Sequence, residues 1–337
     1  MGGPLCRCSD DTFATMAFDF DAAVSAPFRM QPGLRRLSAT AQQLTPAVVP
    51  QRGAARHLRE KLAVLWAYRE QALLCHPGFD PAPALSVLAQ HAAIEQPQAW
   101  QVVNGNWLAP WLGWAVDADG QVHQQHAGWP EIGALLHALS APWRGTALMT
   151  LAFAEDFAIV DARSGVIPWL AVCLPSGWAP EEKLGRSFAD VHGPVADNRM
   201  VVQASGHLMR LVTGAERCER FVWTLTGQPR LHAHPARLDP QRWPEDLTLR
   251  DVAAQTWWRT ERQTFIPVPG AGQAVFTILV DVQPLSVAMH SPERAARVHD
   301  ALASMSPAVL RYRGLQDVQP LLLQWLAQRA AARHEAL

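Results

Sequence analysis

The spacing of apolar and polar positions divides the chain into segments of different period. Over Arg56–Cys75, Leu58, Leu62, Leu65, Tyr68 and Leu73 recur at helical intervals. This predicts an amphipathic helix stopped by His76-Pro77-Gly78. Ala82–Ile94 predicts a second, shorter helix laid against the first. The character changes at Trp100–Val116, where Trp100, Trp107, Trp111 and Trp114 cluster ahead of the turn residues Asp117–Gly120. Pro130–Leu139 predicts a helix, and the denser apolar runs Ala147–Val160, Ile167–Cys173, Ala204–Thr213 and Arg220–Leu225 predict strands. Leu247–Ala254 reads as a short helix. Trp257–Phe265 and Ala274–Val282 predict a β-hairpin around Pro267–Gly272. Pro292–Met305 and Val318–Ala332 predict two closing helices. Residues 1–17 read as a loose tail, and residues 18–52 as a proline-spaced arm with short elements. Antiparallel strands with helices before, between and after them give an α+β fold, with residues 18–335 as one elaborated domain. No strand leads into a GxGxxG helix, which argues against a doubly wound dinucleotide fold.

Composition narrows the function classes. The 337 residues carry a formal net charge of -1, so nothing predicts attraction to nucleic acid or to an acidic membrane surface. No apolar run reaches the roughly 18 residues of a membrane span. The N-terminus lacks a basic stretch followed by an apolar one, so no secretory signal is expected. The five cysteines (Cys6, Cys8, Cys75, Cys173 and Cys218) are odd in number, dispersed and without a CxxC pair. That pattern suits a reducing cytoplasm.

Chemistry concentrates in two places. In Trp178–Ala196, Pro180 suits a first helical position, and Glu181 and Glu182 suit the positive end of a helix dipole. Leu184, Phe188 and His192 then recur at four-residue steps, which places them on one helical face, with Lys183 and Arg186 just upstream. An imidazole so placed fits two roles. It can be a core histidine satisfied by a backbone carbonyl, the commoner case, or a haem ligand whose neighbours cover the porphyrin and meet its propionates.

The second place is the strand Trp257–Phe265. Alternation puts Arg259, Glu261 and Gln263 on one side and Trp258, Thr260, Arg262 and Thr264 on the other. A polar face is ordinary where it meets solvent. Arginines on both faces point instead to a strand lining a polar pocket, with Glu261 paired to an arginine. Glu155-Asp156 is an acidic pair inside an apolar run, so one of the two is expected to point inward to a partner, most naturally an arginine. His232 and His234, and likewise His123 and His126, lie in loop-like surroundings without a third metal ligand nearby. No GxSxG, HExxH, Walker or SxxK motif is present.

Taken together, AEDFAIVD (154–161), LPSGWAPEEKLGRSFADVHGPV (174–195), ERFVWTL (219–225) and RTERQTFIPVPGAGQAVFTI (259–278) resemble the haem-dependent oxidative N-demethylase family. FRMQPGLRRL (28–37) and YRGL (312–315) extend the resemblance from about Phe28 to about Leu326. The resemblance implies a PAS-like antiparallel sheet with surrounding helices that binds haem b. It implies oxidative removal of a methyl group from a small secondary amine such as dimethylamine, with O2 as co-substrate and formaldehyde as product. Electrons would come from a separate flavin or iron–sulfur reductase partner. By motif, His192 becomes the iron ligand, and Lys183, Arg186, Arg259 and Gln263 become cofactor contacts. Glu261 and Arg262 become catalytic or pocket residues. Two departures stand out. Val222 occupies a position where the family tends to have Asn, which bears on the substrate. His192-Gly193-Pro194-Val195-Ala196 stands where it tends to read HxPVP, a loop change. The alternatives are a haem-binding PAS-like sensor without turnover, against which no output domain or coiled-coil pattern is visible, and a scaffold that has lost haem.

Overall fold

The computed structural model describes residues 18–50, 55–193, 196–197, 199–239 and 242–332, with the backbone only for His192, Met200 and Val201. The expected tail, residues 1–17, lies outside the described residues. The chain begins with α1 (Phe20–Ala23), capped by Asp19, and β1 (Arg35–Arg36). α2 (Arg56–Ala72) runs directly into β2 (Leu73–Cys75), and α3 (Ala82–Glu95) follows. β3 (Gln101–Val103), β4 (Asn106–Ala109), β5 (Trp114–Val116) and β6 (Val122–Gln124) form a small meander. α4 (Pro130–Ala138) and α5 (Ala141–Ala152) lead into β7 (Asp156–Asp161) and β8 (Val166–Ala171). A 3-10 turn at Pro180–Glu182 precedes α6 (Phe188–His192), α7 (Arg199–Gln203), α8 (Ser205–Val212) and β9 (Cys218–Thr226). The long hairpin β10 (Trp257–Val268) and β11 (Gln273–Pro284) is followed by α9 (Leu285–Ala288), α10 (Pro292–Ala303), α11 (Pro307–Arg313) and α12 (Gln319–Ala331).

The main sheet has seven strands in the order β1-β9-β10-β11-β7-β8-β2, all antiparallel, and the meander forms a separate four-stranded sheet. The expected α+β architecture is therefore present. Aromatic and branched residues make the hairpin a strong sheet nucleus. On one face, Trp223 and Trp258 stack at 4.8 Å and are covered by apolar residues of α1, α10 and α12. Burying each indole contributes about 2–3 kcal/mol, and their stacking about 1 kcal/mol more. Farther along, Phe157, Ile159 and Trp169 join α2, α3 and α5 in the largest core. Across the sheet, Ala158, Leu170, Cys218 and Phe265 form a third core with Met209 and Val212 of α8.

Several expectations are corrected. Ala147–Val160 is not one strand: α5 continues to Ala152 and β7 starts at Asp156. Thr146–Ala152 is wholly buried, so no period marks the helix in the sequence. Ala204–Thr213 is helical as well, its buried Leu208, Met209 and Val212 falling at helical spacing. Leu247–Ala254 winds through successive turns instead of forming a helix. The predicted helix Arg56–Cys75 gives its last three residues to β2. Pro180–His192 is broken in two, because Gly185 adopts φ +69° and its N–H donates to the Ile167 carbonyl at 2.8 Å. That bend lays residues 185–187 beside the start of β8. The four-residue relation survives only between Phe188 and His192, inside α6. Among the described residues, no helix is long and apolar enough to cross a membrane.

Candidate functional site

Strand alternation and register together define a polar strip on one face of the main sheet. Arg259, Glu261, Gln263 and Phe265 share that face of β10. Their partners on β9 are Thr224, Val222, Arg220 and Cys218, and on β11 they are Val282, Val280, Ile278 and Phe276. The two ends of the strip are closed differently.

At one end Arg259, 3 % exposed, acts as a clamp. Its Nε donates to Ser176 Oγ at 2.8 Å and its Nη1 to the Arg230 carbonyl at 3.0 Å. Its Nη2 donates to the carbonyls of Pro175 at 3.1 Å and Leu231 at 2.7 Å. Burial pulls the guanidinium down to about 10, with the charge of Glu261 opposing the shift. Nearby, Asp156 accepts from the Leu174 N–H at 2.6 Å. At the other end, Leu184, Phe188 and Val191 pack onto the core that holds Phe265 and Cys218. The segment from Leu174 to His192 is thus fastened at both ends of the strip, by polar bonds at one and apolar contacts at the other.

Between the fastenings, Gln263 Nε2 donates to Glu261 Oε2 at 2.5 Å. Val222 and Val280 flank Glu261 across the strands and offer its carboxylate no side-chain hydrogen bond. Arg220 stands opposite Gln263 in register, and its Nε is shut off from solvent without a hydrogen-bond partner among the described residues. Burial lowers the Arg220 pKa, and the Glu261 charge acts against that. Tyr312 of α11 is 47 % exposed; the buried part of its ring raises the phenol, and the Glu261 charge adds to that. The neighbouring Arg313 donates to the Trp223 carbonyl at 2.7 Å, and burial brings it to about 10.

The residues singled out in the sequence separate into groups. Arg259, Glu261 and Gln263 come together as the alternation requires. Arg262 is on the opposite face, where its Nε and Nη2 both donate to Glu219 Oε2 at 3.0 Å and its Nη1 to the Gln42 carbonyl at 2.8 Å. The carboxylate paired with an arginine is therefore Glu219, and Glu261 is held by a glutamine. Lys183 is half-buried and Arg186 exposed, and neither side chain has an ion-pair partner among the described residues. His192 closes α6, and its side chain lies outside the described residues, as do Pro194 and Val195.

Glu155 and Asp156 are both buried, and neither has the expected arginine partner among the described residues. Asp156 pairs with buried Lys61 at 3.2 Å, and Glu155 accepts from the Thr45 N–H and hydroxyl. His232 contacts the Cys173 carbonyl at 2.7 Å and His234 contacts Glu181 at 3.1 Å. His123 pairs with Asp117 at 2.8 Å. Arg220 and Tyr312 were not singled out in the sequence. Both lie in motifs of the resemblance, but only the strand register brings Arg220 beside Gln263.

A family model described as haem-dependent oxidative N-demethylase, alpha subunit-like, matches residues 57–323, well over half of the chain. No curated protein matches it.

Proposed function

The chain belongs to the haem-dependent oxidative N-demethylase alpha-subunit-like family, and on that premise we propose that it holds haem b over the Arg220–Glu261 strip and demethylates a small secondary amine such as dimethylamine. The observation that carries this reading is the strip itself: a polar floor under a segment fastened at both ends, next to the apolar residues Leu184, Phe188 and Val191. The residues fit the cofactor. A haem needs a nitrogen ligand, apolar cover and cations for its propionates. Lys183 and Arg186 are cations without ion-pair partners among the described residues, and Arg220 Nε is buried with its bonding unmet. In this reading His192, one helical turn after Phe188, is the iron ligand. Lys183 and Arg186 meet the propionates, and the antiparallel sheet serves as a PAS-like pocket.

Bound haem supplies the redox chemistry on O2. One O2, two electrons and two protons convert the N-methyl amine into the shorter amine, formaldehyde and water. The electrons come from a flavin or iron–sulfur reductase partner, in keeping with the words alpha subunit-like. Glu261 receives the cationic nitrogen: Gln263 holds Oε2, and Oε1 is left to accept from the ammonium N–H. Val222, Ile278 and Val280 exclude water around that bond and strengthen it. Arg259 and Arg262 are positioning residues, the first fixing the overlying loop and the second joining β9 to β10 and the Gln42 segment.

The test is an absorption spectrum of haem-reconstituted protein, followed by formaldehyde release from dimethylamine with a surrogate reductant. A Soret band and formaldehyde are expected. A Soret band with O2 or CO binding but no formaldehyde from any secondary amine would favour a sensor. No Soret band would overturn the reading.

A further inference from the structure

Among the charged side chains of the polar strip, Arg220 is the one the described fold leaves without a bond. The contrast with the bonded cations of the fold is clear. Lys61 donates to the Thr150 and Phe153 carbonyls, Arg259 to three carbonyls and a hydroxyl, Arg262 to a carboxylate and a carbonyl, and Arg313 to a carbonyl. Arg220 is half-buried: its Nε has lost water and received nothing in exchange, while its Nη1 and Nη2, which have no partner among the described residues, are the atoms a ligand would meet. Glu261 does not relieve it, since its carboxylate is tied to Gln263 and no ion pair joins it to Arg220. The charge of Glu261 also sets what the ligand can be. A phosphate dianion brought to Arg220 would meet that carboxylate on the same face, whereas a single carboxylate matches one guanidinium fork.

We propose that Arg220 is the carboxylate-binding residue of this pocket, its guanidinium left open for a carboxylate that arrives with the ligand. The inference rests on the reading of the strip as the haem and amine pocket. Two sources share this chemistry. One is a haem propionate. The other is the carboxylate of an N-methyl amino acid whose ammonium lies on Glu261, so that the Arg220–Glu261 pair reads a zwitterion.

The experiment compares the full-length wild type with Arg220→Gln, after thermal melts have established that the variant is folded. Haem and haem dimethyl ester are titrated into apo-protein and followed by the Soret band. N-methylglycine and dimethylamine are titrated into the loaded protein by calorimetry. If the propionate is the partner, the wild type prefers haem to its diester by about ten- to a hundredfold, and Arg220→Gln erases the preference. If the substrate carboxylate is the partner, Arg220→Gln narrows the affinity ratio of N-methylglycine to dimethylamine by about tenfold or more. Either result supports the proposal. Both ratios within twofold of wild type would overturn it. Should the variant not fold, the acid-to-ester comparison in the wild type decides, with haem dimethyl ester and N-methylglycine methyl ester as probes. Equal binding of both acids and both esters overturns the proposal. A wild type that takes up no haem defeats the haem reading alone, and titration of the apo-protein with propionate and N-methylglycine, wild type against variant, still judges Arg220.

Discussion

Replacing Arg259 by Met tests whether the segment over the strip is held by the clamp. The side chain keeps its length and apolar stem, but Ser176 and the carbonyls of Pro175, Arg230 and Leu231 lose their donor. Each bond from a charged donor contributes about 1.5–3 kcal/mol. Against this stands the cost of burying the guanidinium. Its fall to about 10 corresponds to about 3 kcal/mol. Removing one side of a buried polar arrangement leaves the other side unsatisfied, so the net loss is about 3–5 kcal/mol. Urea unfolding of the full chain measures it. Limited proteolysis locates it: the expected new cleavages fall in the 174–192 segment and the 229–233 loop before the hairpin opens. Arg259→Lys recovers little, because one ammonium cannot serve acceptors spread around a planar fork. A methionine variant within about 0.5 kcal/mol of wild type, with an unchanged digestion pattern, would refute the clamp.

Three further outcomes are expected. Burial raises the Glu155 carboxyl from its ordinary 4.5 to about 7, so between those values the folded chain keeps a proton that the unfolded chain has lost and stability falls as pH rises. Glu155→Gln should remove that fall, gaining about 2 kcal/mol on the wild type at pH 8 relative to pH 5 in urea midpoints; an equal difference at both pH values counts against it. Trp223→Ala, which empties half of the Trp223–Trp258 stack, should cost about 3–5 kcal/mol in the same assay, and a cost under about 1 kcal/mol would mean that the site collapses around the gap. Gly185→Ala places a Cβ at φ +69° and 3.1 Å from His76 Cδ2, so it should cost about 1–2 kcal/mol and weaken haem retention, while unchanged retention would disconnect the bend from the site.

The sequence revealed elements whose burial is one-sided. α3, α4, α10 and α12 each expose one face, and the β10–β11 hairpin announces itself by alternation around Pro267–Gly272. Segments buried all round leave no pattern to read, and Thr146–Ala152 shows neither period. Charges used inside the core were also hidden. Lys61 sits on the stripe of α2 but ends on Asp156, and nothing in a helical pattern announces a buried ammonium. For the site, alternation alone grouped Arg259, Glu261 and Gln263. Arg220 required the β9 register, which depends on pairing between distant strands. The bend at Gly185 is hidden in the sequence because the surrounding residues satisfy a helical pattern, and only the contact with β8 overrides it.

The most direct measurement is the absorption spectrum of haem-reconstituted wild type beside that of His192→Ala, with circular dichroism to verify the fold of both. The account predicts a Soret band in the wild type that is lost or strongly shifted in a folded His192→Ala protein. A wild type without a Soret band, or a variant whose spectrum matches it, would contradict the account.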